Sequence, residues 1–337
     1  MEQIHLTSTL ELTPAQRATL QALSPRLAIR CGACHSPGEV SEALDDRTEL
    51  LYTFHVPGSL KRAPRLRWVQ FHTAGADHAM DTPLWQSPIT ITTASGIHAT
   101  PIGEYVLASM LAFTHRLRQR LASQKEALWP KDRFERLGGR ELRGRTVCVV
   151  GYGSLGREAA RLCRCAGMRV LAVKRDPAAR RDPGFVLPET GDPEGLIPEA
   201  FFGPERLLEA LGLSDFVILS LPATASTRRI IGERELRAMP RHAYLVNVSR
   251  GSVVDQEALI RALKEGWIGG AGLDVFEPEP LPGDSPLWGL DNVILTPHIS
   301  GFSLHIGDYA VQVLAENLRR HLAGEPLLNV VDRAKGY

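Results

Sequence analysis

Four polar residues stand where strands of an open α/β sheet would end. Arg250 follows the apolar run YLVNVS and precedes Gly251. Asp274 ends the run GAGLDV, Glu279 lies in FEPEPLP, and His298 follows VILTP. Such sheets place their chemistry at the carboxyl ends of strands. An Arg, a Glu and a His converging there suit one task, polarising and protonating a carbonyl beside a carboxylate. Arg250 would hold the carboxylate and the keto oxygen in a fork. His298 would give its proton to the carbonyl oxygen as hydride arrives. Glu279 would bond to the imidazole, orient it and favour its protonated form. Asp274 would fix the carboxamide of a nicotinamide. Taken singly, each residue has an ordinary alternative as a structural histidine or a surface charge.

A hydride needs a donor, and the stretch TVCVVGYGSLGREAARLCRCAGMRVLAVKR, residues 146–175, supplies a place for one. It reads as an apolar strand, a GxGxxG turn, a helix and a second apolar strand, the context in which that turn signals a dinucleotide site. Gly151 permits the tight turn, Gly153 lets the backbone approach a pyrophosphate, and Gly156 lets helix and strand pack closely. Ser154 and Leu155 lie in the same turn, where N–H groups of the helix N-terminus bind phosphates. An NAD site usually carries Asp or Glu roughly 20 residues past the glycines. Here Lys174 and Arg175 stand at that place. A guanidinium binds a ribose 2′-phosphate with two hydrogen bonds, so NADP is favoured over NAD. Asp176 is a caution, and a solvated charge pair is the alternative.

The elements around these residues alternate as βα units. Arg26 to Cys31, Leu50 to Phe54, Leu66 to His72 and Ile89 to Thr93 read as strands of a small parallel sheet. Thr13-Pro14 opens a short helix. The small-residue loop Thr73 to His78 offers N–H groups to an anion, although a plain turn fits equally. Thr100-Pro101 caps a helical stretch to about Leu128, with apolar residues at three- and four-residue steps. It would span roughly 40 Å and cross between domains or form a dimer face. Arg116, Arg118 and Arg120 on its far side are most simply solvated, and residues 137–145 form a loop. Residues 176–204, rich in Pro, Gly and charge, read as an excursion that decorates the surface, with an effect on cofactor choice as the alternative. Strands follow at Phe216 to Leu221, Tyr244 to Val248, Gly270 to Asp274 and Val293 to Thr296, with helices at Glu233 to Met239, Gln256 to Glu265 and Leu304 to Leu322.

The chain of 337 residues suits two domains. A net charge of +1 recommends neither nucleic acid nor an anionic membrane as a partner. With no signal peptide or spanning segment in sight, a cytoplasmic location is expected. Cys31-Gly-Ala-Cys34-His35 matches a haem-attachment string, but nothing suggests export and no second CxxC suggests zinc. No metal is expected, and Cys148, Cys163 and Cys165 read as reduced structural thiols.

Longer strings then carry a resemblance. Val246 to Asp255 (VNVSRGSVVD), Gly272 to Pro282 (GLDVFEPEPLP) and Thr296 to Gly301 (TPHISG) resemble the D-2-hydroxyacid dehydrogenase family. Pro64 to Gln70 with Ala74 to Asp77 looks like its substrate-carboxylate loop, and Pro101 to Tyr105 like the start of its interdomain helix. The resemblance implies two Rossmann- or flavodoxin-like domains with parallel sheets and the active site in the cleft between them. The dinucleotide domain would span 100–298, with a substrate domain from 1–99 plus 299–337. Arg250, Glu279 and His298 would be the catalytic set. Gly75 and Ala76 would contact the substrate carboxylate through backbone groups, and Pro222, Thr227 and Val248 would join the cofactor side. A homodimer is implied. Lys174-Arg175 resembles the NADP-using members, such as glyoxylate/hydroxypyruvate reductases. Gly103 replaces a larger small residue, which would loosen its helix.

The leading expectation is an enzyme reducing a small 2-keto acid with NADPH. NAD-linked oxidation of a different D-2-hydroxy acid is the alternative within the class. A nucleotide-sensing, corepressor-like binding protein is the alternative outside it, disfavoured because a sensor does not need the proton donor. A Rossmann-type methyltransferase is weakened by the full second half.

Overall fold

The computed structural model describes residues 3–334. It divides into two compact units, one of Met1–His98, Pro183–Leu187 and Ser303–Tyr337, the other of Ala99–Asp182 and Pro188–Phe302. The chain thus passes between units at 98/99 and 302/303, where the sequence had suggested 99/100 and 298/299. The short visit of 183–187 to unit 1 was not foreseen.

Unit 1 is a parallel sheet of β1 (Ile4–Ser8), β2 (Leu27–Cys31), β3 (Leu50–Thr53), β4 (Trp68–Phe71) and β5 (Thr90–Thr92), in the order β2-β1-β3-β4-β5. This is the flavodoxin-like order. β1, which the sequence reading passed over, is an inner strand. Helix α1 (Pro14–Gln21) begins where Thr13 and Gln16 cap each other's backbone N–H at 3.2 and 3.0 Å, with Pro14 at the first position. Helix α2 (Pro37–Ala43) starts on Ser36. Phe185, in the visiting segment, packs with Ala94, Ile97, Ala310 and Val313. Its N–H donates to Asn329 Oδ1 at 3.0 Å.

Unit 2 opens with helices α3 (Ala99–Thr114), α4 (Leu117–Lys125) and α5 (Arg133–Leu137). The expected single helix to Leu128 breaks at Arg116, whose φ of 49° is left-handed. Nor are the three arginines merely solvated: Arg116 donates to Arg136 O, Arg118 to Leu290 and Val293 O, and Arg120 to Leu137 O. The βα succession follows as β6 (Thr146–Val150), α6 (Ser154–Cys165), β7 (Arg169–Val173), β8 (Ala200–Phe202), α7 (Leu207–Gly212), β9 (Phe216–Leu219), α8 (Glu233–Ala238), β10 (Tyr244–Asn247), α9 (Gln256–Glu265), β11 (Gly270–Leu273) and β12 (Val293–Leu295). A last helix, α10 (Ile306–Ala323), belongs to unit 1.

The seven strands of unit 2 are parallel in the order β12-β11-β10-β9-β6-β7-β8. β6, all five residues buried, has the continuous apolar sequence of a strand covered on both faces. The order reverses between β6 and β9, so a switch point lies beside the turn that leaves β6. Gly103 does not loosen α3. A Cβ there would come within 2.9 Å of Glu158 Cγ, so glycine lets α3 and α6 pack closely. Residues 176–204 contain β8 and bury Leu187, Asp192 and Phe202, which corrects their reading as a surface decoration. All five cysteines are free, and Cys165 is exposed rather than structural.

Candidate active site

The carboxyl ends of β10, β11 and β12 are neighbours in the sheet, and each carries one of the residues picked out by type. Arg250 follows β10, Asp274 follows β11, and His298 follows β12. Glu279 comes from the loop after β11. Its Oε2 lies 2.8 Å from His298 Nδ1, while Oε1 accepts the Phe276 N–H at 2.9 Å. The carboxylate is therefore anchored on one oxygen and orients the ring with the other, leaving Nε2 for a reacting group. The imidazole is half exposed and so open to a ligand.

Asp274 lies at the strand end where the sequence put it and binds the turn beyond β12. It is 1 % exposed, and Oδ1 accepts from Thr296 Oγ1 at 2.6 Å and Ile299 N at 2.9 Å. Oδ2 accepts from Ser300 N, also at 2.9 Å. These bonds hold the turn that carries His298. Tyr105 on α3 extends the chain, its hydroxyl 2.8 Å from Thr296 Oγ1. Burial pushes that phenol up to about 12, so it remains a donor at neutral pH.

Arg250 is exposed, and its Nη1 donates to Ser249 O at 2.8 Å. Asn247 fixes the loop by donating to Arg250 O at 3.2 Å and accepting from the Ser249 N–H and hydroxyl at 3.1 and 2.6 Å. Gly251 is the contact that sequence reasoning missed. A Cβ at this position would sit 2.0 Å from the Phe276 carbonyl and 2.6 Å from Glu277 N. The loops bearing Arg250 and Glu279 thus touch backbone to backbone. The glycine directly after the arginine was the available signal.

The dinucleotide turn has the shape its sequence implies. Gly151 takes a φ of 99°, and a Cβ there would meet Ser220 O at 2.7 Å. At Gly156 it would meet Gly151 O at 2.2 Å, whereas at Gly153 it would meet nothing within 4 Å. Two glycines are needed for packing, and the third faces open space at the start of α6. Neither Gly153 nor any other side chain caps that helix, so the N–H groups of its first turn, at Ser154 and Leu155, suit a phosphate. This cradle fits a dinucleotide. Thr227 Oγ1 donates to Pro222 O at 2.6 Å and accepts from Thr224 N at 2.9 Å, closing the loop after β9, while Val248 is buried at the end of β10. Lys174 donates to Ala179 O, and Arg175 follows it out of β7.

The two backbone candidates for the substrate carboxylate, Gly75 and Ala76, belong to unit 1. Gly75 and Ala76 follow β4 in a loop closed by Thr73 Oγ1 on Gly75 O at 2.7 Å, with Ala76 buried. Tyr52 is a core residue bonded to His72 Nδ1 at 2.6 Å, whereas Phe54 is exposed. In unit 2, Trp288 and Phe302 are exposed. Among the described residues there is no cluster of metal-ligating side chains, and no helix is long and apolar enough to cross a membrane.

The model of the D-isomer specific 2-hydroxyacid dehydrogenase NAD-binding domain matches residues 107–300. The chain belongs to this family. A glyoxylate reductase of Korarchaeum cryptofilum is 37 % identical over 272 residues, covering 80 % of this chain and 77 % of the relative. A D-isomer specific 2-hydroxyacid dehydrogenase from Xanthobacter autotrophicus, solved in complex with NADPH and MES, is 31 % identical with a TM-score of 0.75 and covers 100 % of both chains. An NADPH-dependent glyoxylate/hydroxypyruvate reductase from Sinorhizobium meliloti, in complex with NADP and sulfate, is 26 % identical with a TM-score of 0.75, covering 99 % of this chain and all of that one. This D-2-hydroxyacid dehydrogenase is accordingly an NAD(P)-dependent oxidoreductase of 2-keto and 2-hydroxy acids.

Proposed function

We propose that this dehydrogenase reduces a small 2-keto acid, glyoxylate or hydroxypyruvate, with NADPH. The observation that carries the reading is the His298–Glu279 pair at 2.8 Å, seated by Asp274 beside the strand end that bears Arg250. When bound, the reduced nicotinamide supplies the hydride that becomes the new C–H bond. Arg250 forks onto the substrate carboxylate and keto oxygen, drawing charge from the carbonyl. His298 releases the Nε2 proton to that oxygen as the C=O π pair becomes the O–H bond. Glu279 steadies the imidazolium before the transfer and the imidazole after it. The backbone N–H groups of Gly75 and Ala76 are assigned to the substrate carboxylate, and the α6 turn, Pro222, Thr227 and Val248 to the dinucleotide.

The choice of NADPH rests on Lys174 and Arg175 at the end of β7, where an NAD site usually carries a carboxylate. The NADPH and NADP complexes of the two solved relatives support it. A homodimer is also proposed, since Trp129 and Phe134 next to α4 are 82 % and 76 % exposed. A monomeric mass by light scattering would refute that part.

The test of function is His298→Asn. Removing a general acid costs about 10²–10⁴ in kcat, while NADPH binding, followed by fluorescence titration, should persist. Unchanged turnover of both keto acids would sink the assignment of His298 as proton donor, and cofactor binding without turnover of either acid by the unaltered protein would favour a nucleotide-sensing protein. Tighter binding of NADH than NADPH by the unaltered protein would move the cofactor to NAD.

A further inference from the structure

The two residues after the glycine turn are charged, yet they are buried on α6. Arg157 is 2 % exposed and Glu158 1 %. Both reach into the excursion that follows Lys174 and Arg175. The Arg157 guanidinium donates to Arg180 O at 2.6 Å and to Asp192 O, lies 3.2 Å from Asp182 Oδ2, and stacks 4.8 Å from the Tyr152 ring centre. Glu158 accepts the Gly191 N–H at 2.6 Å and holds Arg161 with both oxygens. Asp192, also buried, accepts from Tyr152 Oη at 2.7 Å and from Leu196 N and Ile197 N at 2.9 and 3.0 Å. Two stretches of the excursion, 180–182 and 191–197, are thereby fixed to the start of the helix whose first turn is assigned to the dinucleotide.

Stability alone is a poor reason for this arrangement. A buried ion pair often does no better than apolar side chains of the same volume, and its best-attested use is to select one conformation. What needs selecting here is an irregular segment, whose backbone groups must find partners outside any helix or sheet. The fixed stretch begins five residues after Arg175. Lys174, whose ammonium is disfavoured by burial and then by Arg157, is bound to the Ala179 carbonyl within the same loop. Lys174 therefore serves the loop, and Arg175, the next residue beyond β7, is exposed.

We infer that Arg157 and Glu158 are positioning residues for recognition of the ribose 2′-phosphate, acting by fixing the stretches 180–182 and 191–197 so that Arg175 is presented in one conformation. The inference rests on the NADPH reading above. It makes cofactor choice depend on the helix after the glycine turn as well as on the end of β7.

The test uses the full-length protein and two adenosine fragments, adenosine 2′,5′-bisphosphate and 5′-AMP, titrated by calorimetry. The Arg157→Met variant should bind the bisphosphate about tenfold more weakly, the loss of one charge-assisted contact, with 5′-AMP affinity held within about twofold. Arg157→Lys should recover part of the loss. Glu158→Gln, which keeps size and shape, should shift the same ratio in the same direction and serves if Arg157→Met fails to fold. Equal weakening of both fragments, or no change in either, overturns the inference. If the unaltered protein does not prefer the bisphosphate, the NADPH reading falls and this one with it. If it does prefer it and neither variant alters the preference, only the positioning role is refuted.

Discussion

Gly251→Ala tests whether the backbone contact between the Arg250 and Glu279 loops sets the active-site geometry. A methyl group would lie 2.0 Å from the carbonyl carbon and oxygen of Phe276, where ordinary contact begins at 3.4 Å. One loop must therefore retreat by about 1.4 Å. Gly251 does not have a left-handed φ, so the substitution acts through this overlap and not through backbone strain. Phe276 donates its N–H to Glu279, so any retreat moves the carboxylate relative to His298. Overpacking of this kind costs about 1–3 kcal/mol. At about 2–4 °C per kcal/mol for a domain of this size, Tm should fall by several degrees. A displacement near 1 Å at a reacting group costs about 10² in rate, so kcat with NADPH and a 2-keto acid should fall by that order. Cofactor binding through the α6 turn should be retained. Gly283→Ala is the control, because a Cβ there meets nothing within 4 Å. Full kcat and an unchanged Tm for Gly251→Ala would refute the reasoning, since the loops would then be free to separate without consequence.

Two further outcomes follow from the same structure. Asp274→Ala leaves the N–H groups of Ile299 and Ser300 without their acceptor, at about 1–3 kcal/mol for each buried group left unpaired. Thermal melting should show the loss together with a lower kcat, and a variant with full stability would show that water or another group takes over the turn. Acidification should weaken unit 1, where burial first of all holds His72, His78 and His321 below the ordinary histidine value. The unfolded chain takes up these protons near pH 6.5 and the folded chain only at lower pH. Their contribution is complete above that value and is lost as the pH falls through the folded-state values. Melting temperatures should therefore drop between pH 7.5 and 5.5, less steeply in His321→Gln, and a flat profile would contradict the assignment.

Arg250, Asp274 and His298 were legible because each stands just past an apolar run, and a parallel sheet puts such positions side by side. Elements held by polar groups were not. β1 contains Thr7 and Ser8, both buried, and their partners are Thr48 Oγ1 at 3.1 Å and Leu10 O at 2.7 Å. Composition marks such residues for solvent until a partner 41 positions away is known. The excursion was misjudged for the same reason, since Asp192 and Arg157 satisfy each other's surroundings in place of water. The break at Arg116 carried neither Gly nor Pro. Its left-handed turn is stabilised by its own guanidinium on Arg136 O, a contact across 20 residues.

Asp274 has a structural role that its place at a strand end did not reveal. His298 has a φ of 51°, in the region that costs a residue with a side chain about 1–2 kcal/mol. Its own N–H donates to Asp274 O at 2.8 Å, and the next two N–H groups donate to the Asp274 carboxylate. One aspartate thus binds three successive backbone donors, which together outweigh the cost of the left-handed turn. The imidazole is fixed twice, through its backbone by Asp274 and through its ring by Glu279. A side chain that is half exposed has little packing to hold it, and these two carboxylates supply the restraint that packing does not.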